Sequence, residues 1–235
     1  METYGQFCPV AKALDVIGTR WTPLVLRELL AGSRRFSEVQ RGVPLMSRTL
    51  LAQRLKELGE AGLIVATEKK TGRGHHYQLT ESGAAVQPVL EALGDWGLRY
   101  AQGRIGPEDC DPAQMFWAMR RHGDRSALPD RRFVIRFELR NLPPSKRSMT
   151  TWWLVWDRGD LEHCLNNPGF DVDLVVNAAI DALARLWMGG LGLTETMASG
   201  AVRFEGAAPA RAVFTRMLDL RPTPCVKTFQ YAFAA

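Results

Sequence analysis

Between Thr22 and Leu79 the chain is punctuated so often that only short elements fit between the marks, and their order is the strongest constraint in the sequence. Thr22 has the side chain of a helix cap and Pro23 the fixed φ suited to a first helical position, so a helix runs from there to about Ala31 and stops at Gly32. Ser37 caps a short third helix ending at Gly42 to Pro44. Ser47 caps a fourth, on which Leu51, Leu55 and Leu58 form an apolar stripe. Ahead of these, Val10, Leu14 and Ile17 have the spacing of a first helix. After Gly62, LIVATEKK reads as a strand, TGRG as a turn and HHYQL as the returning strand of a hairpin. Helices followed by a basic hairpin make a winged-helix order. Thr80 then caps a last, long helix with Val86, Leu90, Leu93, Gly97 and Tyr100 on one face and a kink at Pro88.

Charge indicates the partner of such a unit. The formal net charge is +5, and residues 1–104 hold 14 Lys/Arg against 10 Asp/Glu while the rest of the chain holds 16 against 15. From Arg20 to Lys56, eight cations (Arg20, Arg27, Arg34, Arg35, Arg41, Arg48, Arg54 and Lys56) meet only Glu28 and Glu38, which points to a polyanion. On the fourth helix, steps of 100° per residue place Leu55 and Leu58 within ~40° of Leu51, with Thr49, Gln53, Lys56 and Glu60 on the opposite side. Ser47, Arg48, Thr49 and Gln53 near its N-terminus have the chemistry of a base reader, since Arg forks onto guanine and Gln onto adenine in a major groove. The hairpin tip offers Lys69, Lys70, Arg73, His75 and His76 to flanking phosphates, which position a domain without reading sequence.

The segments CPVAKALDVIGTRWTPLVLRELLAGSRRFSEVQRGVP, MSRTLLAQRLKELGEAGLI, YQLTESG and PVLEALGDWG, spanning about residues 7 to 100, resemble the HxlR family of bacterial winged-helix regulators. That resemblance implies a homodimer on inverted-repeat double-stranded DNA, with the fourth helix reading bases. It also implies a dimer interface from the first and last helices, which assigns Phe7, Val10, Leu14, Val86, Leu90, Leu93, Gly97 and Tyr100 to it. The family's recurring cysteine falls on Cys8. A helix N-terminus would lower its thiol pKa and make it a redox-responsive group, while a small apolar residue at an interface is the plainer role.

The stretch GRIGPEDCDP interrupts the apolar periodicity, so residues 1–104 are expected to form the winged-helix domain, 105–129 a linker with a short helix at Ala113 to Arg121, and 130–235 a second domain. There Phe133, Ile135, Phe137 and Leu139 alternate with polar neighbours as a half-buried strand. MTTWWLVW, Leu161 to Leu165 and DVDLVV follow as strands. Helices are expected at Ile180 to Met188 and Thr194 to Ser199, then a strand at AVRFEG and a final helix at PARAVFTRMLDL. Strands in one sheet with helices beside it give an α+β class. The run from PGFDVDLVV to FTRML resembles the SCP-2-like sterol-carrier fold, with NAAI departing from its usual helix start. The resemblance implies an apolar site for a hydrophobic effector, for which Trp152, Trp156, Phe170, Trp187 and Met188 are the candidate lining; a filled core is the alternative.

The four cysteines form no CxxC pair, no nucleophile elbow, P-loop or HExxH is present, and GGLG follows a helix instead of a strand. Neither an enzyme, a cofactor nor a metal site is expected. The most apolar stretch, DLVVNAAIDALARLWMGG, carries two Asp, an Asn and an Arg, so no membrane partner is expected. The first residues lack a basic segment followed by an apolar core, which makes the cytoplasm the expected location. The function read from the residues is a dimeric DNA-binding transcriptional regulator modulated by a hydrophobic molecule. The alternative is a lipid-binding carrier whose winged helix serves dimerisation or protein contacts.

Overall fold

The computed structural model describes residues 3–68, 74–101 and 105–220. The chain divides into two compact units, the break falling between Gly94 and Asp95.

The first unit contains α1 (Pro9–Ile17), α2 (Thr22–Leu30), α3 (Phe36–Gly42), α4 (Arg48–Glu60), β1 (Ile64–Glu68), β2 (His75–Leu79), α5 (Glu81–Ala84) and the start of α6 (Gln87–Tyr100). Its core is built from Val25, Leu26, Leu29, Val39, Leu51, Leu55, Leu58 and Ile64, all buried. Each such side chain contributes about 1.5–3 kcal/mol by leaving water, which is why the stripe on α4 fixes how that helix is turned. Glu28 is buried within this unit, paired with Arg27 at 2.9 Å. The same guanidinium donates to Gly42 O at 2.9 Å and so ties α2 to the end of α3.

Helix starts depart from the sequence reading in three places. Thr22 is not a cap: Trp21 takes that position with φ 76°, and Thr22 is the first helical residue, turned into the interior. Ser37 lies inside α3, because Glu38 supplies a stronger acceptor, its carboxylate receiving Arg34 N at 2.8 Å and Arg35 N at 2.9 Å. Pro88 does not kink one long helix. Thr80 caps only the short α5, accepting from Gly83 N at 3.1 Å, and α6 begins afresh with Pro88 in its first turn, where a missing N–H leaves nothing unpaired. Gly83 is required here, since a Cβ would stand 2.0 Å from Leu63 O. Ser47 does cap α4, accepting from Leu50 N at 3.2 Å.

The hairpin pairs Ile64 with Leu79 through to Glu68 with His75. A third edge joins it, for Tyr77 N donates to Arg34 O at 2.9 Å and Arg35 bridges to His76.

The second unit contains α7 (Pro112–His122), β3 (Phe133–Arg140), β4 (Thr151–Asp157), β5 (Asp160–Cys164), β6 (Leu174–Ala179), α8 (Ile180–Trp187), α9 (Leu193–Ala198), β7 (Val202–Gly206) and α10 (Ala208–Met217). The sheet has the order β5-β4-β3-β6-β7, with β3 and β6 parallel and all other pairs antiparallel. Phe133, Ile135, Phe137 and Leu139 of β3 stand in register with Trp156, Leu154 and Trp152 of β4 and with Leu174, Val176 and Ala178 of β6, so one sheet face is apolar. Phe116 and Met119 of α7, Leu183 of α8 and Phe214 of α10 complete that core. The short helix of the connecting stretch therefore belongs to the sheet's own core. The strand expected at DVDLVV starts only at Leu174 and runs on to Ala179. Asp173 ahead of it is spent as a bracket, accepting Val134 N at 2.9 Å and pairing with Arg131 at 2.8 Å. Asn177 of the NAAI departure lies on that strand beside Glu138, and α8 starts without a side-chain cap.

Candidate nucleic-acid interface

With Leu51, Leu55 and Leu58 committed to the core, α4 presents Ser47, Arg48, Thr49, Gln53, Lys56 and Glu60 to solvent, the face expected from its periodicity. Several of these side chains are braced. The Arg48 guanidinium lies 5.2 Å from the Phe36 ring centre, so its charge is held at the N-terminal end of the helix. Gln53 Nε2 donates to Glu57 Oε1 at 2.9 Å. Glu57 is also gripped by Arg54, whose Nε reaches Arg20 O at 3.4 Å. Partial burial works against the Glu57 charge, yet the hydrogen bonds from Arg54 and Gln53 and the Arg54 charge hold its carboxyl below the usual value. Lys56 meets Glu60 at 3.6 Å with both side chains in solvent, a pair of little energetic weight.

Part of the basic run is used inside the fold. Arg27 serves Glu28 and Gly42, Arg34 donates to Leu29 O at 2.8 Å and Ser33 O at 3.2 Å, and Arg54 serves Glu57. Arg20, Arg35, Arg41, Arg48 and Lys56 remain exposed. On the wing, His75 is exposed and His76 half-buried. Lys69, Lys70 and Arg73 lie outside the described residues. Arg35, a member of the basic run that was not among the residues assigned to DNA, is set by its bridge to His76 at the third edge of the wing.

The residues assigned to a dimer interface divide. Phe7, Val10 and Leu14 of the α1 region are exposed, as are Leu93 and Tyr100. Leu90 is only 6% exposed and packs, with Val86, against the unit's own core, so it is unavailable to a partner. The exposed stripe of α6 is Val89, Leu93, Trp96 and Tyr100, turned by about 50° from the expected face at 100° per residue. Burial of Leu90 and Leu98 sets the inward side of α6 and so turns the exposed stripe away from the expected face. Trp96 and Tyr100 rings lie 5.7 Å apart along the stripe.

The five residues assigned to an effector occupy different environments. Trp152 is enclosed: its ring stacks on Phe116 at 4.7 Å and its Nε1 donates to Met149 O at 3.0 Å. Trp156 is half-buried and donates to Pro129 O at 2.8 Å. Trp187 and Met188 are half-buried at the end of α8, and Phe170 is exposed on a loop beneath the Arg132 guanidinium at 3.8 Å.

Cys8 sits half-buried at the N-cap of α1. Burial and the charges of Asp181, Asp109 and Glu108 push the Cys110 thiol up to about 12, and burial also pushes Cys164 up, so both stay protonated. Among the described residues no group of three His, Cys, Asp or Glu side chains could hold a metal ion, and no helix is long and apolar enough to cross a membrane.

Three packed helices, the last with an outward polar face, and a following hairpin define a winged helix-turn-helix protein. HxlR-like helix-turn-helix proteins match it over residues 16–104. The uncharacterized HTH-type transcriptional regulator YvaP of Bacillus subtilis is 35% identical over 97 residues, 40% of this chain and 90% of that one. The HTH-type transcriptional regulator YodB of the same organism is 35% identical over 98 residues, 40% of this chain and 87% of that one. A solved structure of YodB in its reduced form is 30% identical, covering 42% of this chain and 98% of that chain with a TM-score of 0.37. The chain belongs to the HxlR-like helix-turn-helix family. The five-stranded sheet lies outside the matched residues.

Proposed function

We propose that the chain is a sequence-specific, DNA-binding transcriptional regulator that acts as a homodimer on an inverted repeat and responds to a hydrophobic molecule taken up by its second unit. The observation that carries the reading is α4: an amphipathic helix capped by Ser47, anchored by three buried leucines, and offering Arg48, Thr49, Gln53 and Lys56 outward. A helix of this kind fits the major groove with its N-terminal residues against base edges. Thr49 and Gln53 are assigned to bases, and Ser47, Arg48, Lys56 and the wing residues Lys69, Lys70, Arg73 and His75 to bases or phosphates nearby. The naming of relatives as transcriptional regulators supports the same reading.

Val89 and Leu93 of α6, and Phe7, Val10 and Leu14 of the α1 region, are exposed apolar side chains in the first unit and support a dimer, since such groups are covered at an interface. The second unit is assigned an SCP-2-like fold from its sequence of strands and helices. Trp156, Trp187, Met188 and Phe170 are the members of the candidate lining open to solvent, and Trp152 is enclosed. Cys8, half-buried at the N-cap of α1, is assigned first to the interface as a small apolar residue, with a redox response as the second role. The test of DNA binding is titration of a labelled random duplex at several salt concentrations. Affinity that falls steeply with salt is expected from phosphate neutralisation, and a flat dependence would refute it.

A further inference from the structure

The turn between α3 and α4 carries one side chain that folding does not account for. Val43 and Met46 are both buried, and Gln40 Nε2 donates to Val43 O at 3.2 Å and to Met46 O at 2.8 Å, while Met46 N donates to Val43 O at 3.0 Å. Met46 precedes the cap Ser47 and shares the core with Leu51 in the first turn of α4, the arrangement of a hydrophobic staple that fixes how the chain enters the helix. With both ends of the turn pinned inward, Leu45 is left outside and is 69% exposed. Exposed Arg41, Ser47, Arg48 and Thr49 flank it in the chain. Among the described residues of this unit the other exposed large apolar side chains are Tyr4, Phe7, Val10, Leu14, Leu24, Val65, Val89 and Leu93, none of them in this turn.

The position pairs naturally with one feature of DNA. Thymine is the base that puts a methyl group into the major groove, and apolar side chains read it by contact where hydrogen-bonding side chains cannot. Arg48, Thr49 and Gln53 supply donors and acceptors, and Leu45, held rigidly beside the N-terminus of the same helix, supplies the apolar surface they lack. We infer that Leu45 is a specificity-determining residue that packs against the C5-methyl of one thymine next to the bases met by Thr49 and Gln53. This rests on α4 being the reading helix.

The experiment uses the full chain. A preferred duplex is first selected from a random library, and each thymine in it is then replaced singly by deoxyuridine, which removes only the methyl group. Affinities of wild type and Leu45→Ala are compared at one salt concentration, with unfolding temperatures confirming that the exposed substitution leaves the fold intact. The expected result is one thymine in each half-site whose single replacement weakens wild-type binding about fourfold, the worth of a single buried methyl-sized group, and leaves Leu45→Ala binding unchanged. A preferred duplex in which every replacement costs the same in both proteins would remove the role of Leu45 alone. Failure to enrich any duplex would remove the reading of α4 and the role of Leu45 together.

Discussion

The two units spend their large side chains in opposite ways. In the sheet unit the aromatic residues turn toward one another: Phe116 lies edge-on to Phe137 at 4.8 Å, Phe137 meets Phe214 at 5.7 Å, and Phe116 stacks on Trp152. The winged-helix unit closes its core with aliphatic side chains and leaves Leu93 at 56% exposed, as well as a polar helix face, in solvent. A closed aromatic core stabilises a fold without a partner, whereas a stripe of large exposed apolar side chains gains free energy when something covers it. On the proposed reading the outward face of α4 in the first unit is where DNA is met, while the second unit turns its aromatic core inward and leaves Trp96, Tyr100, Leu165 and Phe170 in solvent.

The largest expected effect tests the closed half of this contrast. Phe137→Ala should cost about 3–5 kcal/mol, as large-to-small changes in filled cores do, and denaturant unfolding would show it. A loss under about 1 kcal/mol would mean that the aromatic cluster is loose and has room for a ligand without rearrangement. Next comes the open half. Leu93→Asp places a charge in the α6 stripe and should convert a dimer to a monomer in sedimentation or light scattering. A wild type that is already monomeric at micromolar concentration would put the stripe to another use. Lys70→Ala and Arg73→Ala should weaken all duplexes alike and lower the salt slope by about one unit each.

The smallest effect concerns Glu57. Its carboxyl is held below its ordinary 4.5, so its contribution is present at neutral pH and disappears as the pH falls below 4.5 through the folded-state value. Because Glu57 is only half-buried and its pairing is partly screened by water, Glu57→Gln should only slightly flatten the acid limb of the stability curve. An unchanged neutral-pH stability combined with a clear loss of duplex discrimination would show that Glu57 matters for holding Gln53 instead.

Much of the α4 surface was legible beforehand because the argument there needs only a cap and a period: Ser47 fixes where the helix starts, and Leu51, Leu55 and Leu58 fix which way it faces. The α6 stripe was misplaced for the complementary reason. Periodicity groups Leu90, Leu93, Gly97 and Tyr100 but does not say which edge of that face meets the core, and tertiary packing takes Leu90 and Leu98 inward and leaves Val89 and Trp96 outside. Starts set by tertiary pairing were also hidden, since nothing local says that Glu38 outcompetes Ser37 or that Asp173 brackets β3 instead of extending β6. Leu45 and Met46 are adjacent and chemically alike, and only the packing of the turn decides which of them faces outward.

The account stands on α4 reading bases, and the most direct measurement is the affinity of wild type and of Thr49→Ala with Gln53→Ala for a selected duplex and for a random one at the same salt concentration. The double variant should lose its preference, at ~1–3 kcal/mol per contact, while keeping its affinity for random DNA. Equal affinities of wild type and variant for both duplexes, or a parallel loss on both, would contradict the assignment of this helix face to sequence recognition.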